Sequence, residues 1–122
     1  MAITMKVLVM MAPHFTNYEE FKKELYNQIP NVMEICYYGG RIQHSEMCEI
    51  FSLEEFEMPC TVFHNENPLP AGDVSNATVT GAAEYVDAVI WFSHRATITH
   101  TLTVTKMLRL NKKVFHVRIS SS

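Results

Sequence analysis

Two short, unbroken apolar runs constrain this chain more than any other feature: Lys6-Val7-Leu8-Val9-Met10-Met11, ended by Pro13, and Asp87-Ala88-Val89-Ile90-Trp91-Phe92. A strand with one wet face alternates apolar and polar residues, whereas a short run without alternation fits a strand covered on both faces. Sheets covered in this way are built from parallel strands, and parallel strands need crossover connections, usually helices, between them.

The intervening sequence supplies such helices. Thr16 or Asn17 can cap a helix over 17–28, with Glu19 and Glu20 in its first turn and Phe21, Leu25 and Ile29 at helical spacing up to Pro30. Val32 to Tyr38 is β-prone and stops at Gly39-Gly40. Ser45 to Glu57 reads as an amphipathic helix on Met47, Ile50, Phe51, Leu53, Glu54 and Phe56, ended before Pro59, and Cys60 to His64 as the third strand. Residues 65–76 carry Pro68, Pro70, Gly72 and Asp73 and read as a long loop. Ala77 to Val86 is a helix before the strand at 87–92. Residues 98–110 form a further helix on Ile98, Leu102, Met107, Leu108 and Leu110, ending at Asn111-Lys112-Lys113, although Thr97, Thr99, Thr101, Thr103 and Thr105 alternate as a strand would. Val114 to Ile119 is the fifth strand.

Right-handed crossovers at this spacing predict one α/β domain over residues 1–122: a three-layer, Rossmann-like unit with a five-stranded, mainly parallel sheet in the order 3-2-1-4-5. In such sheets the connections from strands one and four leave on opposite faces and open a crevice at the carboxyl ends, where ligands bind. Segments 11–18, 39–45 and 93–101 line it.

Composition narrows the partners. Hydrophobic residues at 48% against 19% charged, without low-complexity tracts, suffice for a packed core. A net charge of −3 and a pI near 6.0 leave no overall basic surface for a polyanion, so no nucleic-acid partner is expected. No run reaches membrane-spanning length, and no secretory signal is recognised, so no membrane partner is expected and Asn76-Ala77-Thr78 is an accidental glycosylation match. Cys36, Cys48 and Cys60 are odd in number, lie in or beside apolar runs and match no metal spacing. Structural thiols in a reducing cytoplasm are the expectation, with no metal and no cofactor. A homodimer is expected by analogy with other small domains of this architecture.

Within the crevice segments, Arg41, Gln43, His44, Ser45, Ser93, Arg95, Thr97, Thr99 and His100 offer donors suited to phosphate or ribose. Exposed loops and helix caps collect such residues anyway, so their convergence, rather than any one of them, carries the expectation. After Pro13, His14 and Phe15 could stack on a base, as could Tyr18, Tyr37 and Tyr38; packing of Phe15 and Tyr18 against the first helix is the alternative. His94 is a further polar candidate, whereas His64 and His116 read as packing or edge residues.

Met11-Ala12-Pro13-His14-Phe15-Thr16-Asn17-Tyr18 after strand one, Gly39-Gly40 after strand two and Asp87 opening strand four resemble the SLOG superfamily of nucleotide-binding domains. The resemblance covers nearly the whole chain. It includes Lonely-Guy cytokinin phosphoribohydrolases, the DNA-processing protein DprA and small proteins whose first loop reads Gly-Ser-Arg-x-Phe-Thr-x-Tyr. Those small proteins carry a second loop of roughly Gly-Gly-Ala-x-Gly-x-Asp, whose glycines admit a phosphate or ribose beside a helix N-terminus. Here Gly39 and Gly40 are kept, but Gln43 replaces the third glycine and Ser45 the acid. Met11-Ala12-Pro13 stands for Gly-Ser-Arg, and Thr99-His100 for the Gly-Thr expected after strand four.

A phosphoribohydrolase needs a carboxylate beside the glycosidic bond to stabilise oxocarbenium-like charge. Glu46 lies one residue past the altered position and would serve if the chain is an enzyme, although first-turn helix electrostatics accounts for it equally. The resemblance thus implies binding of a nucleotide or nucleotide-derived small molecule, as a sensor or sequestering protein, without turnover. Two alternatives stay open: an N-glycosidase using Glu46 or a loop carboxylate such as Glu66 or Asp73, and a protein-interaction or inhibitor domain with an empty crevice.

Overall fold

The computed structural model describes residues 5–12, 15, 17–29, 31–39, 42–56, 59–63, 75–92 and 98–118; for 42–44, 55, 56 and 98–101 it describes the backbone. Five strands, β1 (Met5–Met11), β2 (Val32–Tyr38), β3 (Cys60–Phe63), β4 (Ala88–Phe92) and β5 (Lys113–Val117), form one sheet in the order β3-β2-β1-β4-β5. Every pairing is parallel. Helices α1 (Tyr18–Gln28), α2 (Ile42–Phe51), α3 (Asn76–Tyr85) and α4 (Ile98–Arg109) alternate with the strands. The expected doubly wound, three-layer α/β architecture is therefore the observed one.

The two apolar runs sit at the centre of the sheet because only there are both faces covered. Val7, Val9 and Met11 of β1, with Ile35, Tyr37, Ile90 and Phe92, pack against Phe21 and Leu25 of α1 and Met47, Cys48 and Phe51 of α2. Leu8 and Met10, with Cys36 and Val89, pack against Ala82, Ala83 and Val86 in and just after α3 and Met107 of α4. Successive residues of one strand thus feed two separate cores, as the two-residue period of a strand requires.

The ends of the elements follow local chemistry. The Asn17 side chain accepts the Glu20 N–H at 3.0 Å and caps α1, and Ser75 Oγ accepts the Thr78 N–H at 3.1 Å to cap α3. Helix α4 stops where Asn111 adopts φ 58°. The Asn111 N–H donates to the Leu108 carbonyl at 3.1 Å, and the Lys112 N–H to that of Met107 at 2.9 Å, which is a Schellman ending. Lys112 Nζ then donates to the Ala83 and Glu84 carbonyls at 2.7 and 2.8 Å, closing the last turn of α3. Asp87 fixes the start of β4: its carboxylate accepts the Lys6 N–H at 2.9 Å and its own N–H donates to the Lys6 carbonyl at 2.8 Å.

Helix α2 departs from expectation in its start and in its exposed side. Helix α2 begins at Ile42, three residues before Ser45, because the apolar repeat from Met47 marks the first contact with the core and not the first helical residue. It also continues into a π-helical turn, Ser52–Phe56, and its buried apolar residues are Met47, Cys48 and Phe51, while Ile50 and Leu53 face solvent. The apolar residues of this segment exceed what one helix stripe can bury. Helix α4 is the helix expected over 98–110, and the threonine alternation there does not make a strand: Thr103 is buried inside α4, its hydroxyl 3.0 Å from that of Tyr38.

Candidate functional site

The chain leaves β1 towards α1 on one face of the sheet and leaves β4 towards α4 on the other, so the switch point lies between Met11 and Phe92, which are register partners. The described floor of this crevice is closed. The Ala12 N–H donates to the Phe92 carbonyl at 2.8 Å, and the Phe15 N–H turns back to the Ala12 carbonyl at 3.0 Å. Phe15 then stacks on Phe92, ring centroids 5.3 Å apart and planes 13° from parallel. Phe15 is only 5% exposed, so of the two roles open to it, packing is the one the structure shows. Tyr18 likewise packs against Phe21 and the α1–α2 core.

At the end of β2 the Gly39 N–H donates to the Phe63 carbonyl at 3.0 Å. Because α2 starts at Ile42, the second loop is short, and Gln43, His44 and Ser45 belong to the first turn of α2 rather than to a loop. Thr99 and His100 belong to the first turn of α4. Both first turns lie at the carboxyl end of the sheet, as parallel topology requires, and their N–H groups point towards it. Glu46 lies in the second turn of α2 and is exposed, so first-turn electrostatics does not explain it. Pro13, His14, Gly40, Arg41, His64, Glu66, Asp73, Ser93, His94, Arg95 and Thr97 lie outside the described residues.

The two tyrosines ending β2 point to opposite faces, and both phenols are engaged. Tyr37 donates to Glu49 Oε1 at 2.9 Å. Burial, reinforced by the Glu49 carboxylate, pushes Tyr37 up to about 12, against a hydrogen bond with Ser45 that pulls it down. Tyr38 is held up to about 12 by burial, partly offset by Thr103. Both phenols stay protonated at physiological pH. Burial likewise raises the thiols of Cys36, Cys48 and Cys60, all unpaired, which makes them poor nucleophiles. His116 stacks on Trp91 at 4.2 Å on the edge strand β5, the packing role expected of it.

One polar cluster had no place in the sequence expectations. Glu34, in β2, is 7% exposed, and its Oε2 accepts from Tyr85 at 2.6 Å, from Thr61 at 2.9 Å and from the Cys36 thiol at 3.6 Å. Lys6 Nζ sits 4.3 Å above the Tyr85 ring. The hydrogen bond to Glu34 raises the Tyr85 phenol. This group lies towards the amino ends of the strands, away from the switch point, and ties the end of α3 to β2 and β3. The only signal for it was an acid inside the otherwise apolar run at 32–38.

Among the described residues no group of three His, Cys, Asp or Glu is placed to hold a metal ion, and no helix is long and apolar enough to cross a membrane. Comparison of the chain with known protein families, with curated proteins and with solved structures finds no match.

Proposed function

We propose that this protein binds a nucleotide or nucleotide-derived small molecule at the carboxyl end of its sheet and does not turn it over. The observation that carries the reading is the doubly wound order β3-β2-β1-β4-β5, which opens a switch point between β1 and β4, flanked by the first turns of α2 and α4. Those turns carry Gln43, His44, Ser45, Thr99 and His100, donor types that suit phosphate and ribose. The departures of the loops from the SLOG pattern support binding over catalysis. So do the carboxylates of α2: Glu49 is engaged by Tyr37, and Glu46 is exposed a turn inside the helix. Three unpaired thiols, two of them buried, suit a reducing compartment such as the cytoplasm, and association with a second copy is expected of so small a domain.

Calorimetric titration against nucleoside monophosphates, cyclic dinucleotides and ADP-ribose derivatives tests the reading. Saturable binding, weakened at least ten-fold by Arg41→Ala and Arg95→Ala, is expected, with Trp91, the single tryptophan, as a fluorescence reporter beside the switch point. No binding by the folded protein across the panel overturns it. Release of free base, lost in Glu46→Gln, overturns the absence of turnover.

A further inference from the structure

We propose that this protein assembles with copies of itself head to tail, the acidic, apolar-tipped surface of α2 docking on the basic, leucine-bearing surface of α4 of the next copy. The inference is independent of the ligand reading. It starts from a segregation of charge. Residues 42–57 hold Glu46, Glu49, Glu54, Glu55 and Glu57 and no Lys or Arg, whereas no Asp or Glu follows Asp87 and half of the basic residues lie between Lys106 and Arg118.

The fold carries the two segments to opposite sides of the molecule. Helix α2 packs beside β2 and the edge strand β3, on one face, and α4 packs on β4 and the edge strand β5, on the other. Each charged surface also exposes large apolar side chains. Leu53 is 74% exposed and Ile50 42%, beside Glu46, Glu49 and Glu54; Leu102 is 40% exposed, one turn from Lys106 and two from Arg109. Leu102, Lys106 and Arg109 recur at i, i+4 and i+7 and so share one side of α4. Leu53 stands in the π-helical turn, a feature that recurs at functional positions and here shifts the helix register after Phe51.

Internal needs do not account for this arrangement. Glu46, Glu54, Lys106, Arg109 and Lys113 have no ion-pair partner among the described residues. The α4 macrodipole explains cations in its last turn, but not the exposure of Leu102 beside them, nor the exposed Ile50 and Leu53 among acids on the other side of the molecule. An acidic surface placed on its own symmetry copy is repelled, as is a basic one, so the complementary match is between different surfaces. Such a contact is heterologous and extends into rings or chains rather than stopping at a two-fold dimer.

Sedimentation velocity of the full chain tests the proposal. Mass that rises with concentration at low salt is expected, falling as ionic strength increases from about 0.01 to 0.15 M and the screening length shortens from about 30 to 8 Å. Glu54→Lys and Arg109→Glu, both at exposed positions, are each expected to weaken association at least ten-fold with unchanged circular dichroism; Leu53→Ser and Leu102→Ser are the parallel pair should a charge reversal disturb folding. Mixing Leu53→Ser with Arg109→Glu protein leaves one intact contact, acidic surface of the second on basic surface of the first, and is expected to give a 1:1 dimer that grows no further. A monomer at every concentration, a dimer indifferent to either reversal, or no heterodimer on mixing overturns the proposal. So does a monomeric protein whose Arg109 surface binds phosphatidylserine vesicles, which assigns the basic face to a membrane instead.

Discussion

Phe15 lies on Phe92 at a centroid distance of 5.3 Å, and the main chains beneath the two rings are joined by the hydrogen bond from Ala12 to the Phe92 carbonyl. The ring that closes the carboxyl end of β4 therefore comes from the segment after β1, the neighbouring strand across the switch point. Truncation removes a buried aromatic from the junction of β1, β4 and α1, so Phe15→Ala is expected to cost about 3–4 kcal/mol. Phe15→Leu is expected to cost less than about 1.5 kcal/mol. Urea unfolding followed by Trp91 fluorescence measures both.

Glu34 gathers the Tyr85, Thr61 and Cys36 donors on one oxygen in a nearly water-free position. Removing the acceptor strands the buried Cys36 thiol and the half-buried Thr61 hydroxyl, so Glu34→Ala is expected to destabilise by about 2–3 kcal/mol. Tyr85 is part-exposed and can turn to water, so Tyr85→Phe should cost clearly less. Because they share one hydrogen bond, the pair is expected to be non-additive: Glu34→Gln combined with Tyr85→Phe should destabilise less than the two changes summed. Strict additivity in a denaturant double-mutant cycle would show that the bond contributes nothing.

Strand positions were legible because burial on both faces writes itself into a strand as an unbroken apolar run, and β2 matches its expected bounds, Val32 to Tyr38. The sheet order followed from crossover handedness, a property of chirality rather than of any residue. What failed was the assignment of apolar residues to faces in α2, where Ile50 and Leu53 looked like core and are exposed. Periodicity cannot rank apolar residues when a helix holds more of them than one stripe needs, nor announce a π-helical turn. Glu34 was opaque for another reason: its partners lie in β3 and α3, up to 51 residues away in sequence. Of the site, the sheet end and the helix turns were readable from topology, while the roles of Phe15, Tyr37 and Tyr38 depend on Phe92, Glu49 and Thr103, which only the tertiary fold brings to them.

Asn111 holds the left-handed turn that ends α4, with φ 58°. A side chain with a Cβ pays for that conformation, asparagine less than most, and glycine nothing. Asn111→Gly is expected to be neutral or slightly stabilising, and Asn111→Ala to destabilise by about 1 kcal/mol. Thermal melts of the two variants decide it; equal melting temperatures would mean that the Schellman ending is maintained without help from this residue.

Alkaline pH should undo the end of β2. Tyr37 and Tyr38 are both raised to about 12 in the folded chain, chiefly by burial, against about 10 when unfolded. Between these values the unfolded chain has lost phenolic protons that the folded chain keeps. Stability contributed by the two groups is thus fully present below pH 10 and falls as pH rises towards 12. The slope is up to about 1.4 kcal/mol per pH unit for each tyrosine. In a titration of phenolate absorbance, a fraction of the five tyrosines should ionise only near pH 12 or together with unfolding. Tyr38→Phe removes one such group, along with its bond to Thr103, and should flatten the alkaline loss of stability while lowering stability at neutral pH. If all five phenols titrate reversibly near 10 in the folded protein, neither Tyr37 nor Tyr38 is shielded from water as the fold requires.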